Sequence, residues 1–456
     1  MTDWSTIHRW DRSYYLHNVQ AQGEHVPIAV ARQDGNYLEL EDGSRLLDFQ
    51  SQLISDSLGH RHPAVYAEIG RAMERYGHVF FGMVNEYRAR AAKLLIEDVL
   101  GADSWAGRVR ILSSGGEAVE CCLTMARLYT GRPLVLTQRH SFHGISVGAT
   151  QLRGYRNNLS PGDDLAKVLD VPGFPKPEFI TIPAPEHQHE VVEGRLPSLV
   201  ETEAILRDHG PENFAALITE AMFGAAGIPS HPDYLPGVRE LCDRYGILWV
   251  DDEVICGFGR LGEWFGYQVF GEIAPDLMAT GKSINGSALP SGALFASKPI
   301  SEFFDRARWW SGSTWDGHPL ICASIVGALE WMLAENILER INQRGAYLRE
   351  GLQTLAEKHD CVGRVGGWGL FYAVDLVGRD GEPIVAADRD ADFTGDLSAQ
   401  PNQVVAAECA KRGVFLGGFV PNTIKVGPPY TIEEVEIDEA LRVFDAALTR
   451  VDSMYC

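Results

Sequence analysis

The stretch that decides the fold is GILWVDDEVICGFGRLGEWFGYQVFGEIAPDLMATGKSINGSALPSG, residues 246–292. It opens with the apolar run 247–250, which is bounded by a glycine and by acids. Such a run predicts a fully buried parallel strand. The strand places Asp251 and Asp252 at its carboxyl end, where open α/β sheets bind their ligands. Thirty residues beyond Asp252, Lys282 follows a glycine in a predicted turn.

This acid and this lysine suit one chemistry well. A buried lysine with a lowered pKa can form a Schiff base with an aldehyde cofactor. A buried carboxylate can hold a pyridine nitrogen in its protonated form, and a pyridoxal phosphate enzyme needs both groups from its protein. Either residue alone is weak evidence, because most loop lysines are solvated and many strand-end aspartates cap loops.

The whole stretch resembles the class III aminotransferases, the pyridoxal phosphate family that includes the omega-transaminases. The motifs that carry the resemblance, by order and spacing, are Asp252-Glu253-Val254, Gly257-Phe258-Gly259-Arg260, Pro275-Asp276, Lys282 and Pro290-Ser291-Gly292-Ala293. The wording DEVICGFGR is most similar to the amine:pyruvate branch. The resemblance covers nearly the whole chain. It implies a transferase of fold type I, with a mostly parallel seven-stranded-type sheet flanked by helices and a smaller α+β domain.

Between the predicted strand 109–112 and the following helix lies Ser113-Ser114-Gly115-Gly116-Glu117, which resembles the family's Ser-Gly-Ser/Thr-Glu-Ala motif. Free backbone N–H groups at a helix start bind anions. Gly115 and Gly116 are therefore expected to hold the cofactor phosphate. Because Gly116 stands where the family has a hydroxyl, the phosphate would lose one hydrogen bond there, about 1 kcal/mol.

Other cofactor contacts follow from the resemblance. Phe142 and His143 stand in the family's aromatic-His-Gly signature, in which the aromatic ring stacks on the pyridine. Glu220 opens a segment similar to Glu-Pro-x-x-Gly-x-Gly-Gly, although the proline is lost. Val254 returns to the strand face that carries the acid and is expected to press on the other side of the ring. Thr314 lies where a threonine of one subunit binds the cofactor phosphate of the other, which implies a homodimer or a dimer of dimers.

The substrate pocket is expected to include Ile54, Phe80, Phe81, Ile255 and Lys425. Many members of the amine:pyruvate branch bind keto-acid carboxylates with a mobile arginine, whose position holds Gly418 here, while Lys425 replaces a fixed arginine. A lysine cannot supply a planar two-pronged contact. The sequence therefore predicts a small monocarboxylate such as pyruvate as acceptor and a largely apolar amine as donor. Arg153 or Lys425 is left open as a substitute anchor.

Composition excludes several other classes of function. With a net charge of −22, the chain is a poor partner for nucleic acid or an anionic membrane. Its eight cysteines are scattered without metal-ligand spacing, which fits a reducing compartment. EHQHE at 186–190 predicts a solvated loop, and no metal site is expected. The N-terminus lacks an apolar signal core and no run reaches transmembrane length, so the cytoplasm is the expected location.

The order of elements predicts three regions. Residues 1–60 are expected to form an N-terminal arm and part of a small domain. Residues 61–325 are expected to form the large cofactor-binding α/β domain, because strands and helices alternate there. Residues 326–456 are expected to form the C-terminal small α+β domain. The segment 154–212 has weak periodicity, and its stretches 172–179 and 183–190 are predicted to be long surface loops.

These observations predict a pyridoxal-phosphate-dependent aminotransferase, which moves an amino group from an amine or omega-amino acid to a small keto acid by a ping-pong mechanism. Lys282 would hold the cofactor and shuttle the proton, and Asp252 would keep the pyridine nitrogen protonated. An amino acid racemase or decarboxylase on the same fold remains an alternative, because those enzymes share both residues. A non-catalytic or nicotinamide-binding α/β protein is a further alternative, although no Gly-x-Gly-x-x-Gly follows an early strand.

Overall fold

The computed structural model describes residues 3–17, 27–152, 179–184, 191–192, 194–385, 400–418, 420 and 422–456. The strands are β1 (Val30–Asp34), β2 (Tyr37–Leu40), β3 (Arg45–Asp48), β4 (Ala106–Leu112), β5 (Leu134–Gln138), β6 (Phe179–Ile182), β7 (Phe214–Thr219), β8 (Met222–Phe223), β9 (Ile228–Pro229), β10 (Leu248–Glu253), β11 (Leu277–Gly281), β12 (Gly292–Ser297), β13 (Val362–Trp368), β14 (Phe371–Leu376), β15 (Val414–Phe415) and β16 (Thr423–Val426). The helices are α1 (Trp4–Tyr14), α2 (Ser51–Ile54), α3 (Pro63–Met73), α4 (Glu86–Lys93), α5 (Gly115–Thr130), α6 (Val147–Gln151), α7 (Pro197–His209), α8 (Tyr234–Tyr245), α9 (Lys298–Phe303), α10 (Pro319–Ala334), α11 (Ile337–Lys358), α12 (Pro401–Ala410) and α13 (Glu434–Tyr455).

The large sheet has seven strands in the order β4-β12-β11-β10-β7-β5-β6. Strand β12 runs antiparallel to both of its neighbours, whereas β10 pairs in parallel with β7 and β11. The predicted apolar run therefore forms the middle strand, and all six residues of β10 are buried. Hydrophobic clusters cover both faces of the sheet, as the predicted α/β architecture requires.

The alternation of β10 decides which acids can reach a ligand. Leu248 and Val250 pack in the cluster that contains the apolar face of α5, while Trp249 packs in the cluster on the opposite face. Successive side chains of a strand point to opposite faces. Asp252 therefore lies on the α5 side, and Asp251 lies on the other side of the sheet.

One of the smaller sheets brings the two ends of the chain together. Strands β1, β2, β3 and β15 form one sheet, in which β15 pairs in parallel with β3, and β13, β14 and β16 form the other. On this pairing we propose that residues 1–60 contribute to the small domain formed by 326–456, with 61–325 as the large domain.

Regular structure lies beside the predicted loops: of 172–179 only Phe179 is described, as the first residue of β6, and of 183–190 only residues 183–184 are described. Strand β6 lies at one edge of the large sheet and α7 begins at Pro197. Three of the four β6 residues are not fully buried, so the strand shows no clean periodicity, while proline fits the first turn of a helix. The motif at 186–190 lies outside the described residues. Strand β1 lies within residues 1–60, where an N-terminal arm and part of a small domain are predicted.

Within the described part of the chain, no single helix is long and apolar enough to cross a bilayer. Helices α10 and α11 are long and apolar enough only when taken together, and they are bent by 72° relative to each other. The same residues contain no group of three or more histidine, cysteine and carboxylate side chains that could hold a metal ion.

Candidate active site

A cavity of about 460 Å³ opens at the carboxyl end of β10. The predicted site residues that line it are Gly115, Gly116, Phe142, His143, Glu220, Asp252, Val254, Ile255 and Lys282. They come from the carboxyl ends of five strands, β4, β5, β7, β10 and β11, and the loops after them. Their convergence follows from the parallel pairing of the central strands, because the carboxyl ends of parallel strands meet at one edge.

Asp252 is held rigidly at the floor of the cavity. Its Oδ2 lies 2.7 Å from Nδ1 of His143, and its Oδ1 accepts the backbone N–H of Val254 at 3.0 Å. Both Asp252 and His143 are almost completely buried. The carboxylate therefore has a fixed orientation and keeps lone pairs available for a donor inside the cavity.

The charge of Asp252 shifts the pKa values of both His143 and Glu220. Burial, the largest effect on the pKa of His143, lowers it, but the hydrogen bond and charge of Asp252 outweigh burial and leave the pKa raised. Burial raises the pKa of Glu220 to about 7, and Asp252 adds to the rise while His143 opposes it. Glu220 also accepts the backbone N–H groups of Phe142 at 3.0 Å and Gly224 at 2.9 Å. Glu220 thereby fixes the loop that carries Phe142.

Lys282 directly follows β11 and opens a helical turn that ends at Asn285. Its φ of 42° lies in the left-handed region, which a residue with a side chain adopts only when its surroundings enforce it. Burial lowers the pKa of Lys282, although the carboxylates of Asp252 and Glu220 oppose the shift. A buried amine with a lowered pKa is closer to the neutral, nucleophilic form.

The turn before α5 leads directly into the start of a helix at Gly115. Ser114 caps the helix by accepting the N–H of Glu117 at 3.1 Å. The N–H groups of Gly115 and Gly116 have no intrahelical partners, because these residues open the helix. A Cβ at Gly115 would lie 2.6 Å from Val254, so only glycine lets the turn pack this closely on β10. A Cβ at Gly116 would meet no heavy atom within 3.7 Å.

Asp251 and Glu253 lie on the opposite face of β10 and take no part in the cavity. Asp251 accepts a hydrogen bond from Thr219 at 3.3 Å, and Glu253 accepts the backbone N–H of Tyr267 at 2.8 Å. Burial and the neighbouring Glu253 raise the pKa of Asp251 well above its usual range. These two acids therefore form a buried carboxyl pair that favours a bound proton.

Five predicted residues do not line this cavity. Ile54 is buried against Gly427, and Lys425 is buried beside the cavity. Phe80 and Phe81 are 53% and 44% exposed. Thr314 is exposed too, on a segment where Gly312 packs against the ring of Phe81.

Sequence reasoning missed some of the lining. Gly144, Ser287 and Leu289 also face the cavity. Ser287 has a φ of 56°, and the glycine before it was a local signal for this turn. No local signal singled out Leu289, whose place depends on how the turn after Lys282 packs.

An acid and a lysine at the strand ends of this fold, with a phosphate cradle between them, define a pyridoxal-phosphate-dependent enzyme. The residues fit that cofactor: unpaired N–H groups at the start of α5 suit its phosphate, Asp252 suits its ring nitrogen and Lys282 suits its aldehyde. The chain belongs to the class III aminotransferases, since the family model described as Aminotransferase class-III matches residues 19–448.

Known proteins agree with this assignment. The chain is 35% identical to an S-selective transaminase from Arthrobacter sp. with alanine bound, with a TM-score of 0.93 and 99% of each chain covered. It is 29% identical to taurine:2-oxoglutarate aminotransferase from Bifidobacterium kashiwanohense in complex with PLP and glutamate, with a TM-score of 0.90 and 100% of each chain covered. It is 28% identical over 438 residues to the acetylornithine aminotransferase of Caldanaerobacter subterraneus subsp. tengcongensis, covering 93% of this chain and 95% of that protein. The chain is thus a pyridoxal-phosphate-dependent aminotransferase of the class III family, with fold type I.

Proposed function

We propose that this aminotransferase moves an amino group from an amine or omega-amino acid to a small monocarboxylic keto acid such as pyruvate. The observation that carries the proposal is the cation beside the cavity. Within the described residues, no arginine lines the cavity. The cation beside the cavity is Lys425, whose amine is already bonded to the protein backbone.

The Lys425 side chain is committed to two carbonyl groups. Its Nζ donates to the oxygen of Gly224 at 3.0 Å and to that of Ala225 at 3.4 Å. Burial and, to a smaller extent, the nearby amine of Lys282 lower the pKa of Lys425 to about 8, although Glu220 opposes the shift. A bonded point charge with a lowered pKa is a weak anchor for the distal carboxylate of a dicarboxylic acid. Such a carboxylate would be buried with little compensation, at a cost of several kcal/mol.

The position expected to carry a mobile arginine has no room for a side chain. A Cβ at Gly418 would lie 2.2 Å from the carbonyl oxygen of Thr423, and the carbonyl of Gly418 accepts a hydrogen bond from Asn402 at 2.8 Å. An arginine there would have to displace β16. The proposed anchor Arg153 lies outside the described residues.

Apolar side chains support an apolar amine donor. Ile255 and Leu289 line the cavity, and Phe80 and Phe81 form a tilted aromatic pair with ring centres 4.4 Å apart. The similar transaminase from Arthrobacter sp. has alanine bound, and alanine is the amine that pyruvate becomes. The more distant similarity to a taurine:2-oxoglutarate aminotransferase makes the choice of acceptor the decisive test.

The ratio of kcat/KM for pyruvate and 2-oxoglutarate, measured with one fixed amine donor, should favour pyruvate by at least about tenfold, because the distal carboxylate of 2-oxoglutarate lacks a two-pronged partner. Lys425→Met is the informative variant: it should leave the pyruvate value nearly unchanged, because the lysine bonds carbonyls rather than substrate. A tenfold preference of the parent enzyme for 2-oxoglutarate would overturn the proposed acceptor. The same conclusion would follow if Lys425→Met abolished a preference of the parent for 2-oxoglutarate.

The roles of the site residues follow from their geometry. When bound, pyridoxal phosphate supplies an aldehyde that exchanges with amines and a ring that accepts electrons from the substrate carbon. We propose that Nζ of Lys282 anchors the cofactor and, once released, carries the proton from the substrate α-carbon. Asp252, oriented by His143, holds the proton on the ring nitrogen. Val254 and Phe142 would confine the cofactor ring, and Glu220 fixes Phe142 by accepting its backbone N–H.

We further propose that the enzyme is a homodimer in which Thr314 reaches the cofactor phosphate of the partner subunit. Thr314 is exposed within an apolar region, where Trp310 is 91% and Trp315 is 49% exposed. Large exposed apolar patches commonly mark interfaces. The buried helix α10 follows this region directly and gives it a rigid base.

Light scattering should therefore give twice the mass of one chain. Thr314→Val should keep that mass yet weaken cofactor binding, measured by titrating the cofactor-free enzyme, by about tenfold for one lost charge-assisted hydrogen bond. Thr314→Ser keeps the hydroxyl and should bind nearly as the parent does. A fully active monomer would end the dimer proposal.

A further inference from the structure

We propose that His60 is a positioning residue of this enzyme: held between Asp48 and Asp56, it locks the loop 48–60 that supports the substrate side of the site and the turn of Lys282. The catalytic part of this inference rests on the function proposed above. Neither His60 nor its two acids lines the cavity. Any effect of His60 on catalysis must therefore act through the loop.

The two carboxylates on either side of the His60 ring favour its doubly protonated form. Nε2 of His60 lies 3.0 Å from Oδ2 of Asp48, and Nδ1 forms an ion pair with Asp56. Ionised carboxylates are acceptors only, so a hydrogen on each ring nitrogen suits this arrangement. The side chains of His60 and Asp48 are 1% and 0% exposed, and that of Asp56 is 15% exposed. A buried cation between two buried acids is a strong crosslink when all its partners are present, and removal of one partner is costly.

The clamp holds a strained backbone. Ser51, Gln52 and Ile54 have φ values of 47°, 58° and 55°, a region that residues with side chains rarely adopt and that is least favourable for a β-branched residue. Asp48 restrains this turn directly, since it accepts the backbone N–H of Gln52 at 3.0 Å and its side-chain amide at 2.8 Å. His60 fixes the same carboxylate from the other side.

The clamped loop touches the catalytic apparatus at two points. Leu58 lies against Gly286, where a Cβ would come within 2.9 Å of the leucine, and Gly286 ends the turn that Lys282 begins. Ile54 packs closely on Gly427, where a Cβ would come within 2.5 Å of the isoleucine. Gly427 directly follows β16, the strand that contains Lys425. Movement of the loop would therefore shift both the lysine turn and the wall beside the substrate.

The charges around the clamp are balanced only while His60 is a cation. The titratable and charged groups that face it, directly or through its two acids, are Asp48, Asp56, His62, Arg260 and Tyr430. Arg260 is fully buried and bonds the carbonyls of Leu370 and Pro428 rather than an acid. Two carboxylates are thus matched by the charges of His60 and Arg260, and a neutral His60 would leave one negative charge uncompensated.

Protonation of His60 also sets a pH window. Burial lowers the pKa of His60, but the bonds to Asp48 and Asp56 outweigh burial and raise it to about 9. A raised folded-state pKa means that the stabilisation is complete below the unfolded value, near 6.5, and is lost as the pH rises through about 9. The clamp is closed at neutral pH and opens in alkaline solution.

Two substitutions test the clamp on the intact holoenzyme. His60→Gln places its amide near Nε2 and keeps a donor for Asp48, whereas His60→Asn places its amide near Nδ1 and keeps one for Asp56. Hydrogen exchange of the peptide 49–58 should rise about tenfold in His60→Asn and less in His60→Gln, because Asp48 restrains the strained turn. The KM for the amine should rise by about tenfold in His60→Asn, with a smaller change in kcat and partial rescue in His60→Gln.

The melting temperature offers a readout that does not depend on amine turnover. The gap between the parent and His60→Gln should be widest near pH 6 and should close by pH 10. Parental exchange in 49–58 for both variants, or a gap that does not change with pH, would overturn the clamp. Faster exchange with an unchanged KM would overturn the positioning role. If the parent enzyme does not use amines at all, the function proposed above fails, while the exchange and melting results still decide the clamp.

Discussion

Replacing Lys282 by alanine should lower kcat for transamination by at least about a thousandfold, because one side chain both anchors the cofactor and carries the proton. The amine lies at the end of β11 in a cavity that it shares with Asp252, and burial lowers its pKa. Alanine removes both the nucleophile and the base. The left-handed φ of Lys282 also limits how another residue could take its place.

Borohydride treatment of the yellow parent enzyme, followed by peptide mapping, should leave the cofactor covalently attached to the peptide that carries Lys282. Lys298→Ala is the matched control, because that lysine is exposed at the start of α9 and should leave both activity and labelling intact. Label on any other lysine of the parent, Lys425 included, would remove Lys282 from its proposed role.

Asp252→Asn should keep the cofactor bound through its phosphate yet lose about a hundredfold or more in kcat, since an amide cannot stabilise a protonated ring nitrogen. The substitution leaves the bond from the N–H of Val254 possible but takes the charged partner away from His143. The raised pKa of His143 should therefore fall, which an activity-independent histidine titration would detect.

Asp251→Asn is the control that the fold provides. Asp251 is one residue away but on the opposite face of β10, where it bonds Thr219 and neighbours Glu253. An amide there can donate a hydrogen bond to Glu253 in place of the bound proton, so both kcat and the melting temperature should change little. Equal losses for the two variants would mean that negative charge near the strand matters, rather than the contact made by Asp252.

Much of the fold was predictable, because its signals are local. A run of apolar residues ended by acids predicted β10, and the glycine turn after the predicted strand 109–112 predicted the start of a helix, where α5 does begin. The glycine turn, Phe142, Asp252 and Lys282 were predictable as a set, because each follows a strand whose carboxyl end meets the others in a parallel sheet. The edge strand β6 was not predictable in this way, since a short, partly exposed strand has little hydrophobic contrast.

What the sequence alone determined was the chemistry of the site: which residue types stand at the ends of the central strands, and so which cofactor they suit. The tertiary structure decided how those residues are constrained. It placed the amine of Lys425 on backbone carbonyls about 200 residues away in sequence, and it left no space for a side chain at Gly418. It also placed His60 between Asp48 and Asp56 in the loop 48–60. Periodicity and capping depend on neighbours within a few residues, whereas these contacts depend on how strands and loops that are distant in sequence pack against each other.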